Sequence, residues 1–275
     1  METPPVRDAV DVGELLDGSA FTLYQRALVA LTALTVIFDG VDIQLLGAAL
    51  PMIMREWRLS RTAFAPALAS GLFGMMIGGA LAGVFGDRAG RRRALIVSVL
   101  VFGAAAGCAG LSQSVGMLSA LRFVAGLGLG GALPNAAALS AEFVPRARRT
   151  LAITLTIVCV PLGGTLAALL AIRVLPALGW RAFFEIGGAI PIAMAVLLMW
   201  LLPESPRYLA HRTERAAELR ALLGRMGHRI DPAASTPAVA SSPRIRASCR
   251  SDRPCASWGL AATHRPSSSP TQARP

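Results

Sequence analysis

Lysine is missing from this chain: all 27 basic residues are arginine. That bias fits a GC-rich coding sequence better than a chemical need. Histidine is scarce, and His211, His228 and His264 all follow the last long apolar run. No buried imidazole is available as a base and no His-Glu-x-x-His occurs, so the chain is not expected to be an enzyme, intramembrane proteases included. The four cysteines show no Cys-x-x-Cys and no His/Cys spacing. Cys108 and Cys159 lie in apolar runs, Cys249 and Cys255 near the carboxy terminus. Neither a disulfide framework nor a metal site is indicated, and no cofactor is expected. A secretory leader is not expected either, because Asp8, Asp11, Glu14 and Asp17 stand where a basic region would precede the first apolar run.

Apolar residues are abundant, at 54% of the chain, with a mean hydropathy of +0.55. The net charge of +11 misleads, because from Arg207 onward twelve arginines face only four acids and hold most of the surplus. A basic excess confined to one terminal stretch does not argue for a nucleic-acid partner.

A membrane helix needs roughly 20 mostly apolar residues. Six stretches qualify: 27–50, 63–85, 94–112, 115–141, 151–172 and 182–202. They predict an all-α membrane protein, a six-transmembrane-helix bundle over 27–205. Residues 1–26 precede it, and a basic helix or linker follows over 206–229. Residues 230–275, rich in Arg, Pro, Ser and Ala, are expected to be disordered, and a frameshift in GC-rich DNA would give this composition. Eleven arginines flank the even loops and the termini, against five in the odd loops. The positive-inside rule therefore expects both termini in the cytoplasm.

Ionisable residues at bilayer depth cost at least ~2.5–3.5 kcal/mol and need a reason. Asp39 and Asp42, in Phe38-Asp39-Gly40-Val41-Asp42, are spaced i,i+3 and share one helix face. Two close carboxylates in low dielectric do not both stay ionised cheaply, which suits a proton carrier. Arg122, always charged, is the expected partner of that pair or of an anionic substrate. Gly126-Leu127-Gly128-Leu129-Gly130-Gly131 lies inside an apolar helix with no strand before it, so a dinucleotide site is excluded. A close-packed, pore-lining face is expected there, with Pro134 adding a kink and Asn135 a polar group.

Gly83-Val84-Phe85-Gly86-Asp87-Arg88-Ala89-Gly90-Arg91-Arg92 resembles the loop between helices two and three of major facilitator superfamily transporters. Asp39-Gly40-Val41-Asp42 is similar to the helix-one motif of the aromatic acid:proton symporters within that superfamily. Pro134-Asn135-Ala136 running on to Glu142 and Arg148-Arg149 resembles the end of their helix four. Gly179-Trp180-Arg181 and Pro203-Glu204-Ser205-Pro206-Arg207 resemble the flanks of helix six, a motif shared with sugar porters.

The resemblance implies proton-driven uptake of hydroxybenzoate- or benzoate-type anions across the inner membrane. It implies a coupling role for Asp39 and Asp42, to which the buried charge and polar group of helix four add Arg122 and Asn135 as expected coupling and substrate residues. It implies a gating loop of Gly83, Asp87, Arg88, Gly90, Arg91 and Arg92, and a cytoplasmic charge network that includes Glu142 and Arg149. The expected partners are a small aromatic carboxylate, protons and membrane lipid. The family has two six-helix halves, so this sequence reads as the amino-terminal half, with the missing carboxy-terminal half as its main partner and no transport expected from it alone. The alternatives are a sugar or other metabolite porter of the same superfamily, or a non-transporting degenerate membrane protein.

Overall fold

The computed structural model describes residues 22–210 and 212–226. The expected tail, 230–275, and most of the segment 1–26 lie outside the described residues. Helix α1 (Leu23–Trp57) opens on a capping box, in which Thr22 and Gln25 satisfy each other's backbone N–H groups. A 3-10 turn (Arg61–Phe64) leads to α2 (Ala65–Ala89). Helix α3 (Arg91–Ala109) follows after the single residue Gly90. Helix α4 (Val115–Glu142) is capped by Ser114, whose hydroxyl accepts from the Met117 N–H. Helix α5 (Arg146–Leu201) is followed by two short helices, α6 (Pro206–Ala210) and α7 (Ala216–Arg225).

The six apolar stretches thus become five long helices, each apolar enough to cross a membrane. The expected loop between 172 and 182 is reduced to one residue. An unbroken 56-residue helix would run about 84 Å, nearly three times the hydrocarbon thickness. Gly179, at φ 80° and ψ 177°, breaks it. No neighbour would obstruct a side chain there, so the backbone conformation is what calls for glycine. Both arms pack on α1 and run in opposite directions: Gly163 of the first arm meets Ile37, while Gly187 and Trp180 of the second meet Leu45 and Glu56.

Helix α2 packs on α4, α1 on α5, and α3 on both α4 and α5. The α2–α4 seam is backbone against backbone. A Cβ on Gly74, Gly78, Gly126 or Gly130 would fall on the main chain of the opposite helix, the small-residue packing used where lipid supplies no hydrophobic drive. One apolar cluster gathers Leu95, Phe102, Leu139, Phe143 and Leu198, with Leu219 and Leu223 of α7. A second gathers Leu45, Phe64, Trp180, Phe183 and Phe184. Phe38 touches both, so the acids that follow it sit at the waist of the bundle. Outward faces stay apolar: Leu72, Phe73, Met76 and Leu81 of α2, and Leu162, Leu169 and Ile172 of α5, are exposed. Faces of that kind on helices of that length make this a multi-pass membrane protein.

Candidate functional site

Thr32, Thr35, Asp39 and Asp42 follow one another at helical spacing on α1, and all four are buried. Between the two acids, Gly40 turns away from this face and crosses Gly163 of the first arm of α5. A Cβ on Gly40 would collide with the Val160 carbonyl, and one on Gly163 with that of Ile37. Nearer the amino end of α1, Thr32 shares a 2.6 Å hydrogen bond with Ser140 of α4, and Ser140 shares one of 3.2 Å with Thr156 of α5. Three helices are therefore pinned together about two turns from Asp39.

Arg122 reaches this face from α4. Its Nη1 stands 3.0 Å from Asp42 Oδ1, with the side chains 11% and 2% exposed. Two buried groups are left over: Asp39 Oδ1 and Arg122 Nε meet no hydrogen-bond partner among the described residues. One can accept a proton or a hydrogen bond, and the other can donate one. Gly71 of α2 borders the guanidinium, leaving room beside Nε. The arrangement can hold one carboxylate and exchange one proton.

Asn135 stands apart from these groups. It is thirteen residues beyond Arg122, about 20 Å along the helix axis. Its Nδ2 donates to the carbonyls of Gly131 and, across to α2, Ala82. Nor do the neighbouring glycines line a channel. Gly126 and Gly130 are packed on α2, Gly128 on Phe102 and Ser98 of α3, and Gly131 between Ala82 and Ser98. The close packing expected of this stretch is turned toward neighbouring helices.

The expected gating loop and charge network come together at the end of the bundle where α3 begins. Asp87 is mostly exposed and pairs with Arg91 at 3.5 Å. Arg91 Nε also lies 3.2 Å from Glu142 Oε1. Arg92 donates its N–H to Glu204 Oε1 at 3.1 Å and its Nη2 to the Met199 carbonyl at 2.5 Å. Gly90 has φ 103°, and a side chain there would strike the Glu204 carboxylate. Arg88 takes part through its carbonyl, which accepts from Tyr208 and Arg212. Arg149 donates to the Val144 carbonyl at 3.4 Å. Gly83 meets nothing within reach of a Cβ.

Glu204 and Ser205 carry more of this cluster than the sequence reading gave them. The Ser205 hydroxyl donates to Glu142, and the Ser205 N–H donates to Glu204 at 3.1 Å. Both belong to the Pro203–Arg207 motif, so an acid beside a proline-framed helix start was the available signal. A second missed group closes the other end: Glu56 takes Arg181 at 2.7 Å and the Trp180 indole N–H at 2.6 Å, with Arg181 stacked on that indole.

The family model described as Major Facilitator Superfamily matches residues 32–265. A gallate transporter of Pseudomonas putida is 36% identical over 243 residues, covering 88% of this chain and 54% of the relative. The 4-hydroxybenzoate transporter PcaK of Pseudomonas aeruginosa is 33% identical over 219 residues, covering 80% and 49%. The chain spans about half the length of the curated relatives it matches. Among solved structures, the proton:xylose symporter XylE bound to 6-bromo-6-deoxy-D-glucose superposes with a TM-score of 0.65 at 22% identity, over 74% of this chain and 50% of that one. At that identity the likeness concerns the fold.

Proposed function

The chain belongs to the major facilitator superfamily, a family of transporters and not of enzymes, and from that premise we propose that it forms one wall of a proton-coupled importer of aromatic acids of the hydroxybenzoate and benzoate class. The observation that carries the reading is the buried, unpartnered Asp39 oxygen on the same helix face as the Asp42–Arg122 ion pair. Relatives described as transporters of gallate and 4-hydroxybenzoate support the substrate class.

In this reading Arg122 orients the substrate carboxylate, with its free Nε–H adding a second bond to the one Nη1 can offer. Asp42 holds the guanidinium in place while the site is empty. Protonation of the acid pair weakens that hold, and the incoming carboxylate takes it over, so proton and substrate enter together. Asn135 acts at a distance, by fixing α4 to α2. The loop from Gly83 to Arg92 gates the far end, anchored through Arg91 on Glu142, with Arg149 steadying the start of α5. The membrane is the inner membrane, with both termini in the cytoplasm, as the arginine distribution favours. The facing wall comes from a second six-helix half, and transport requires it.

The test is uptake of labelled 4-hydroxybenzoate into proteoliposomes under an imposed pH gradient. A version completed with a carboxy-terminal half is expected to accumulate substrate, and Asp39→Asn and Asp42→Asn in that version are each expected to abolish accumulation. Accumulation retained in both variants would sink the coupling role. Gradient-driven uptake by this chain alone would overturn the need for a second half.

A further inference from the structure

Neither the acid pair nor the charge cluster uses a cavity of about 590 Å³ at the other end of α1. Arg55 and Arg61 stand over it, and Gly47, Pro51, Met54 and Leu59 help to line it. Positions 47, 51 and 55 fall one turn apart on a single face of α1. Arg58 ends that helix in the left-handed conformation (φ 54°, ψ 38°), and the turn it makes brings Leu59 and Arg61 to the same cavity as Gly47. A bulky residue at positive φ is a genuine outlier, of a kind that accompanies functional sites.

Among the described residues the positive charge here is uncompensated. Glu56, the neighbouring acid, is engaged elsewhere by Arg181 and Trp180. No hydrogen bond or ion pair among the described residues engages the side chain of Arg55 or Arg61. Two free guanidinium groups above an apolar floor fit a small organic anion: the forks hold a carboxylate, and Pro51, Met54 and Leu59 receive its apolar body. Asp42 lies thirteen residues from Arg55, about 20 Å along the axis, and is buried on another face of α1, whereas Gly47, Pro51 and Arg55 are exposed.

We propose that Arg55 and Arg61 form an outer capture site for aromatic carboxylates, ahead of the Asp42–Arg122 pair. The aromatic part of this proposal rests on the function proposed above.

The test uses the full chain in nanodiscs of phosphatidylcholine, with equilibrium dialysis against labelled benzoate and, separately, hexanoate. Wild type is expected to bind benzoate saturably and more weakly as salt rises. Arg55→Gln with Arg61→Gln is expected to weaken that binding at least tenfold, while Arg55→Lys with Arg61→Lys, which keeps the charge but not the forks, is expected to weaken it less and serves as the folded control. Equal benzoate affinity in wild type and the Gln pair overturns the capture site and leaves the aromatic-acid reading standing. Hexanoate bound in preference to benzoate, and lost in the Gln pair, keeps the site and overturns the aromatic reading. Binding of neither by wild type overturns the site. So does displacement of benzoate by an equal or lower concentration of short-chain phosphatidylglycerol, which would assign the arginines to a lipid headgroup.

Discussion

Arg122 pairs with Asp42, at 3.0 Å, and leaves Asp39, three residues earlier on the same face, without a hydrogen bond or ion pair among the described residues. The two aspartates are therefore unequal in what they support. Asp42→Asn orphans a buried guanidinium, and Arg122→Gln orphans a buried carboxylate. Each is expected to destabilise the chain by on the order of 3–5 kcal/mol, the usual result of removing one member of a buried pair. The double variant removes both charges and is expected to recover much of the loss. Asp39→Asn orphans nothing and is expected to be neutral or stabilising. Unfolding in detergent, followed by circular dichroism, measures all four. Single-variant losses that simply add in the double variant would contradict the pairing.

The crossing of α1 and α5 at Gly40 and Gly163 makes a second expectation. Alanine at either position places a methyl group on a backbone carbonyl of the opposing helix, and a backbone yields less readily than a side chain. A loss of about 1–3 kcal/mol is expected for each, as for overpacking in general. Gly83→Ala is the internal comparison, since nothing lies within reach of its Cβ. It is expected to stabilise α2 by roughly 0.5–1 kcal/mol through helix propensity. If all three substitutions shift the unfolding midpoint alike, the crossing is not as tight as described.

Much of this was legible in the sequence, and most of what was not has one physical cause. Apolar runs fix which segments cross a membrane, and the i,i+3 spacing of Asp39 and Asp42 fixes a shared face. Periodicity does not say which face of one helix meets which face of another. So the choice of Asp42 over Asp39 by Arg122 needed the fold, as did the attachment of Asn135 to Ala82. Contacts far apart in the chain stayed hidden for the same reason: Glu204 reaches back to Arg92, and Ser205 to Glu142. The break in α5 was misjudged in extent. A loop of about ten residues was expected, and one glycine with an unusual backbone suffices.

Gly90 and Arg58 share the sign of φ but differ in chemistry, and that contrast gives the last expectation. Gly90, at φ 103°, also lies where a Cβ would come within 2.6 Å of Glu204 Oε2. Gly90→Ala is therefore expected to cost about 1–3 kcal/mol in backbone strain and to disturb the Glu204 carboxylate that receives the Arg92 and Ser205 N–H groups. Arg58, at φ 54°, already bears the strain that Gly90 avoids, on the order of 1–2 kcal/mol for an L-residue in this region. Arg58→Gly is expected to relieve it and raise the unfolding midpoint, less a small loss from the greater freedom of glycine in the unfolded chain. The two substitutions thus move the same measurement in opposite directions. A midpoint that falls in Arg58→Gly would mean that the Arg58 side chain itself stabilises the turn, by more than its backbone costs.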